Sequence, residues 1–176
     1  VLILTAAEQV GHFQVVIAAL SECAPNLAQK MAHIPHGFLR LATGKMSSRE
    51  GNVITAEGLI REVIERASVK NEDPLIAEQV ALGAIKYMIL RQAAGGDIIF
   101  DMDKSLSLEG DSGPYLQYAL VRATSILTSA TVTPSDTPSC TEATLLAQLL
   151  IRFPEIVSRA ESLHAPHILT TYLTQL

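Results

Sequence analysis

The stretch GDSGPYLQYALVR, residues 110–122, decides how the second half of the chain folds. Gly113 precedes a predicted helix and Pro114 suits its first position, since the N–H that proline lacks would be unpaired there anyway. The residues that follow recur at helical spacing and share one side of that helix: Tyr115, Tyr118, Ala119, Arg122 and Ile126. Taken alone, the pattern also fits an ordinary packed helix whose tyrosine hydroxyls reach water.

Upstream of this helix, the first part of the chain alternates between strand and helix signals. Val1–Thr5 is a short apolar run typical of a buried parallel strand, Glu8–Cys23 has helical periodicity, and residues 33–42 are predicted to be extended. Strand, helix and strand in this order indicate a βαβ unit, whose ligands bind at the carboxyl ends of the strands.

The strand signal almost disappears after Asn52, and helices dominate from there on. One helix is predicted to begin just after Thr55 and another at Pro74, while residues 98–110 are predicted to form a loop or a short strand. Residues 131–141 are rich in Thr, Ser and Pro and are predicted to be a surface connection, followed by two more helices.

Composition excludes several classes of protein. The net charge of −5 argues against a chain whose whole surface binds nucleic acid, although a local basic groove stays possible. Cys23 and Cys140 lie far apart without further metal ligands nearby, so we expect neither disulfides nor a metal site, and a reducing cytoplasmic environment. No apolar run approaches the length of a membrane span, so no membrane partner is expected. The chain opens without Met on a strand and closes within a helical pattern, and both ends are expected to be cuts in a longer protein.

A polar loop, GKMSSREGN at residues 44–52, carries the chemistry that is easiest to interpret. Such a loop is more often plain solvated surface, and it lacks the spacing of a Walker-type phosphate loop. Lys45 offers a compact charge and Arg49 a planar fork, so both can follow triphosphate oxygens as charge builds up on them.

This loop resembles the Lys-Met-Ser-Lys-Ser signature of class I aminoacyl-tRNA synthetases, including the Gly-Asn pair that follows it. The chain departs from that signature at Ser48, where a second lysine is expected, and at Arg49, where a serine is expected. The resemblance implies that Lys45, Ser47, Ser48 and Arg49 act on the triphosphate during amino-acid adenylation. It also places Lys45 and Met46 at the bound nucleotide.

The stretch at residues 110–122 is similar to the Gly-x-x-Gly-Pro-Tyr-x-Gln-Tyr-x-x-x-Arg segment of arginyl-tRNA synthetases, where it begins the helical anticodon-binding domain. The resemblance implies an arginine–tRNA ligase that uses L-arginine, tRNA(Arg) and ATP, with Mg²⁺ arriving on the ATP rather than at a protein metal site. It also implies that Tyr115, Tyr118 and Arg122 contact tRNA by stacking and phosphate binding.

The segment after the first strand resembles the part of the same family that borders the adenosine pocket. The resemblance assigns that role to Gln9 and His12, and it places His36 and Phe38 close to the adenine. Taken alone, a histidine after a strand is more often a helix cap or a packed residue. His33 is interpreted as structural.

The predicted fold is an α/β remnant of a Rossmann-type nucleotide-binding domain followed by an all-α bundle, predominantly helical overall. The remnant covers residues 1–54, a helical stem covers 55–110, and the start of the anticodon-binding domain covers 111–176. The family's His-Ile-Gly-His-like motif and arginine pocket are not in this chain, so the fragment is expected to be inactive alone. The parent protein is expected to be a monomer.

Two alternatives stay open at this point. A class I synthetase of another amino-acid specificity shares the signature loop, although it should lack the Gly-Pro-Tyr-x-Gln-Tyr run. A non-enzymatic tRNA-binding or interaction module derived from a synthetase keeps the helices without the catalysis.

Overall fold

The computed structural model describes residues 1–42, 55–131 and 144–176, and these are predominantly helical. Four short strands are present in these ranges: β1 (Leu2–Ala6), β2 (Ala32–His36), β3 (Leu39–Leu41) and β4 (Ile98–Phe100). The helices are α1 (Val10–Cys23), α2 (Pro25–Ala28), α3 (Ala56–Ser68), α4 (Pro74–Leu90), α5 (Met102–Ser105), α6 (Gly113–Ser129), α7 (Leu145–Ile151), α8 (Phe153–Ser162) and α9 (Pro166–Gln175).

The strands form two small parallel sheets. β1 pairs with β2, with Ala6 opposite His36, and α1 is the crossover between them, so the predicted βαβ order is confirmed. β3 pairs with β4, with Leu39 opposite Ile98. The Rossmann-type sheet is not confirmed, because β2 and β3 are consecutive strands with different partners and the described strands form two separate pairs.

The helix starts largely follow the sequence prediction. The Thr55 side chain caps α3 by accepting the Gly58 N–H at 3.1 Å, and Asp73 caps α4 just before Pro74. α6 begins at Gly113, one residue earlier than predicted, because the Ser112 side chain takes the capping position.

The structure has three helices from Leu145 onward, so the prediction of two was wrong. α7 ends where α8 begins, and Arg152 is both the C-terminal cap of one and the N-terminal cap of the other. Pro154 lacks an N–H and cannot continue the hydrogen bonds of the preceding helix, which accounts for the break.

The main apolar core lies between α3, α4 and β4. Val63, Ala77, Ala81 and Phe100 are at most 1% exposed. The alanines on α4 have small side chains, which lets α3 approach closely, and Phe100 fills the space beneath β4.

The remaining helices have much less buried surface. α1 contains no buried residue, and every residue of α6 from Tyr118 to its end is exposed. No helix within the described ranges is long and apolar enough to cross a membrane.

Candidate functional site

The carboxyl ends of β1 and β2 lie side by side and define one candidate site. Gln9 lies in a 3₁₀ turn directly after β1, and His12 lies in the first turn of α1. His36 is the last residue of β2 and pairs with the last residue of β1. The structure therefore brings Gln9, His12 and His36 to the same edge, and all three are exposed.

The Phe13 ring packs against two histidines near this edge, His12 and His33. The Phe13 ring stacks on His33 with centroids 4.5 Å apart, and it meets His12 edge-on at 5.3 Å. The Nε2 atom of His33 lies 2.8 Å from the Thr5 hydroxyl oxygen. His33 is thus a packed residue with a polar partner, in agreement with its structural interpretation, while His12 is at the surface.

The segment after β2 is fixed by the loop that follows α4. A Cβ atom on Gly37 would lie 2.1 Å from the carbonyl oxygen of Gly96, so only glycine permits this backbone approach. Asp97 accepts the Phe38 N–H at 3.0 Å and pairs with Arg40 at 2.9 Å. These contacts place Phe38 beside the strand ends with its side chain half exposed.

The tautomer of the neutral His36 ring follows from its contact with the Gly37 carbonyl. Its Nδ1 atom lies 3.0 Å from the carbonyl oxygen of Gly37, and a carbonyl only accepts hydrogen bonds. Nδ1 therefore carries the proton in the neutral ring, and Nε2 is left as an acceptor.

Lys45, Ser47, Ser48 and Arg49, which are predicted to act on the triphosphate, lie outside the described residues. Met46, which is predicted to lie at the nucleotide, is also outside them. The chain leads toward them from the end of β3, where the Ala42 N–H donates to the Phe100 carbonyl at 2.9 Å.

A second candidate site lies on the outer face of α6. Arg122 donates to the Tyr118 hydroxyl at 2.8 Å, and its guanidinium carbon lies 5.7 Å from the centre of the same ring. Tyr115 lies about one turn before Tyr118 and is 39% exposed. The structure thus brings Tyr118 and Arg122 into contact and leaves all three side chains open to a ligand.

The charge of α6 differs from that of the whole chain. Between Gly113 and Ser129 the helix has no acidic residue, and Arg122 is its one charged side chain. A net charge of −5 over the chain is therefore compatible with a locally basic, partly aromatic helix face.

The residues at the start of α6 form a joint with α4. A Cβ atom on Gly113 would lie 2.4 Å from the carbonyl oxygen of Gly83, so the two helix backbones touch here. Gln117 donates to the Gln79 carbonyl at 3.1 Å, and the Ser112 hydroxyl donates to the Ser107 carbonyl at 2.5 Å. Sequence reasoning did not identify this joint, and the only signal for it was a glycine on each helix.

Asp111, just before α6, was also missed. Its carboxylate accepts a hydrogen bond from the buried Tyr87 hydroxyl and pairs with Arg91 at 3.2 Å. Burial raises the pKa of Tyr87 above its ordinary value, and the Asp111 carboxylate raises that pKa further, while Thr174 and Arg91 oppose the shift.

Carboxylates elsewhere serve local structure. Asp101 caps α5 by accepting the N–H groups of Asp103 and Lys104, both at 3.1 Å, and the Lys104 N–H is the main cause of its lowered pKa. Within the described ranges, no three His, Cys, Asp or Glu side chains are grouped to hold a metal ion.

Comparison with known proteins gives a family match for the last helices. Residues 116–176 match the family described as the DALR anticodon binding domain. The match includes most of α6 and all of α7, α8 and α9.

Curated relatives are similar to nearly the whole chain. The arginine–tRNA ligase of Streptococcus thermophilus is 35% identical over an alignment of 181 positions, which covers 96% of this chain and 32% of the relative. That of Flavobacterium psychrophilum is 31% identical over an alignment of 185 positions, which covers 96% of this chain and 31% of the relative. The chain spans about a third of the length of the curated relatives it matches.

Solved structures agree with the curated relatives. The arginyl-tRNA synthetase from Thermus thermophilus matches with a TM-score of 0.82 and 34% identity, covering 99% of this chain and 31% of that one. The arginyl-tRNA synthetase from Plasmodium falciparum matches with a TM-score of 0.77, covering 99% of this chain and 33% of its own. The latter is 22% identical, and its likeness therefore shows the fold alone.

Proposed function

We propose that this chain is part of an arginyl-tRNA synthetase, since it is similar to such proteins over about a third of their length, and that the whole protein ligates L-arginine to tRNA(Arg). The observation that carries the proposal is similarity to arginine–tRNA ligases over 96% of the chain, together with the anticodon-binding match at residues 116–176. The arginine carboxylate would attack the α-phosphate of ATP and release pyrophosphate. A terminal ribose hydroxyl of the tRNA would then take the arginyl group and release AMP.

The proposed role of the signature loop is to stabilise charge on the triphosphate. Lys45 and Arg49 supply positive charge, and Ser47 and Ser48 supply hydroxyl donors, to oxygens that become more negative as pyrophosphate leaves. Met46 is proposed to lie against the nucleotide. Mg²⁺ is proposed to arrive with the ATP phosphates, where it would offset part of their charge.

The proposed nucleoside site is the edge formed by the ends of β1 and β2. Gln9, His12 and His36 share this edge, and Asp97 and Gly96 fix Phe38 beside it. A half-exposed phenylalanine can stack on an adenine, and the Nε2 atom of His36 can accept from its amino group.

The proposed tRNA site is the outer face of α6. Tyr115 and Tyr118 offer rings on which unpaired bases can stack, and Arg122 can reach a phosphate. The contact between Arg122 and Tyr118 supports this role, because it holds the guanidinium at the surface before RNA binds.

We also propose that domain boundaries lie at residues 54 and 110. The whole protein is proposed to act in the cytoplasm as a monomer, and this chain is proposed to be inactive in isolation. The chain lacks the family's His-Ile-Gly-His-like motif, so no arginine-dependent pyrophosphate exchange is expected from it, even with tRNA present. Exchange by the isolated chain would refute that part of the proposal.

The direct test is aminoacylation by the whole protein with ATP, Mg²⁺, tRNA(Arg) and each amino acid in turn. We expect esterification of arginine only. Preferred esterification of another amino acid would indicate a synthetase of different specificity, and tRNA binding without esterification would indicate a non-enzymatic module.

A variant of the signature loop separates catalysis from binding. Lys45→Ala combined with Arg49→Ala should slow adenylate formation by about a hundredfold or more, because two charges that face the transition state are lost. Affinity for tRNA should change little, since the proposed tRNA contacts lie on α6. Unchanged adenylation in this variant would contradict the proposed role of the loop.

A further inference from the structure

Helices α7, α8 and α9 form a small unit with its own internal contacts. α9 packs mainly against α8, and Tyr172 of α9 donates to the Leu149 carbonyl of α7 at 3.1 Å. The Tyr172 ring also lies 5.9 Å from the ring of Phe153. In the described parts of the chain, the largest contact of this unit with the preceding helices is the smaller one between α9 and α4.

A cluster of polar side chains fastens that contact. One carboxylate oxygen of Asp111 accepts from the Tyr87 hydroxyl and lies 3.1 Å from the Thr174 hydroxyl oxygen of α9. The Tyr87 and Thr174 hydroxyls are 2.6 Å apart. Arg91 completes the cluster, because it donates to the Asp111 backbone carbonyl at 3.0 Å and pairs with the second carboxylate oxygen.

The chemistry of the cluster requires a carboxylate in the centre. An ionised carboxylate only accepts hydrogen bonds and has room for several donors, whereas an amide would direct its own N–H groups at one of them. Since Asp111 and Arg91 are 45% and 39% exposed, water screens their ion pair and it contributes little alone. The hydrogen bond from Tyr87 contributes more, because the residue is largely buried and its hydroxyl would lose a charged acceptor and keep only Thr174 as a neighbour.

We propose that Asp111 is a positioning residue that fixes the angle of the α7–α9 unit on α4, and thereby the productive placement of bound tRNA. The inference rests on the proposed function, since residues 116–176, which include this unit, match an anticodon-binding domain. A domain that holds one end of a tRNA sets, by its angle, where the other end arrives. We call the cluster of Tyr87, Arg91, Asp111 and Thr174 the clamp. A cleft of about 410 Å³ opens beside it, between α4 and α9, so the unit has space to tilt when the clamp is lost.

Loss of the clamp should change the KM for tRNA and leave the KM for ATP unchanged. A tilted unit should raise the KM for tRNA, because the binding-competent angle is then only partly populated and tRNA has to bind against that cost. The KM for ATP should stay close to its native value, because none of the clamp residues lies at the ends of β1 and β2. A purely structural role would lower stability without this selectivity.

The test uses two clamp variants of the whole protein with matched controls. Thr174→Val removes a hydroxyl and keeps the shape, while Thr171→Val does the same on the same helix at a residue that donates to the His167 carbonyl instead. Asp111→Asn removes the central charge, and Glu109→Gln removes a charge two residues earlier in the same loop. Thr174→Ser keeps the hydroxyl and should restore native kinetics.

Aminoacylation kinetics give the first result. Both clamp variants should raise the KM for tRNA about tenfold, as expected for a lost hydrogen bond to a charged group, with the KM for ATP within about twofold of native. The two controls and Thr174→Ser should match the native protein. A native KM for tRNA in Thr174→Val, or equal changes for ATP and tRNA, would overturn the proposal.

A distance measurement gives a second result that does not depend on the reaction. Spin labels at Ser68→Cys on α3 and Ser158→Cys on α8, with Cys23 and Cys140 replaced by serine, report the angle of the unit. The clamp variants should broaden the label–label distance distribution, and an unchanged distribution would overturn the proposal. If the native protein esterifies no arginine, the proposed function fails, and the clamp is judged by these distances alone.

Discussion

The core between α3 and α4 and the helices from α6 onward differ in how they are held. The core is apolar, with Val63, Ala81 and Phe100 almost completely buried. The later helices have few buried side chains, and they attach to α4 through a contact between two glycines and a cluster of polar groups.

This difference indicates a division of labour. Burial of apolar area is the largest favourable contribution to folding, so most of the stability should come from the core. Helix faces that are not buried stay available for a ligand, and on α6 these faces carry aromatic and basic side chains. Changes in the core should therefore unfold the protein, while changes on the outer face of α6 should affect tRNA and spare the fold.

The largest effect is expected from the core. Phe100→Ala should lower the free energy of unfolding by about 3–5 kcal/mol, because the change leaves a cavity beneath β4. Leu120→Ala on α6, at a side chain that is 68% exposed, should change it by less than about 0.5 kcal/mol. Urea denaturation measures both, and similar losses in the two variants would remove the contrast between the regions.

An intermediate effect is expected at the joint between the regions. Gly113→Ala places a methyl group against the Gly83 carbonyl and should lower the free energy of unfolding by about 1–3 kcal/mol. Gly11→Ala on α1 is the control, because nothing lies within 4 Å of its added Cβ, and alanine favours a helix. The control should stabilise slightly, and a Gly113→Ala protein as stable as the control would show that the backbones do not touch.

The smallest effect concerns pH. The folded pKa of Tyr87 lies above its ordinary value of about 10, so the contribution of this residue to stability is fully present below that pH. The contribution is lost as the pH rises through the folded pKa, because the unfolded state releases the proton first. Tyr87→Phe should flatten this part of the stability–pH curve, and an equal alkaline loss in both proteins would show that other groups cause it.

Much of the architecture was predictable because local signals and packing agree. Thr55 and Pro74 begin helices as predicted, since a side-chain cap and a proline act within one turn of the chain. The resemblance of residues 110–122 to arginyl-tRNA synthetases also agrees with the relatives that the whole chain matches, because that motif combines Gly, Pro, Tyr, Gln and Arg in a fixed order.

The parts that could not be predicted depend on contacts between distant residues. Asp111 meets Tyr87 and Thr174 across 24 and 63 positions of sequence, and no local pattern indicates such a meeting. Likewise, Gly37 and Gly96 lie 59 positions apart in sequence, and their close approach accompanies the pairing of β3 with β4. The Rossmann-type prediction extended a correct βαβ unit into a larger sheet, and the two strand pairs within the described residues are too few to support that extension.

The most direct test of the division of labour is tRNA(Arg) affinity measured alongside thermal stability for Arg122→Gln in the whole protein, with Arg159→Gln on α8 as the control. The change at Arg122 should weaken tRNA binding about tenfold through loss of a charged contact, and the melting temperature should stay native because the side chain is exposed. Native tRNA affinity in Arg122→Gln, or a weakened affinity accompanied by a large fall in melting temperature, would contradict the account.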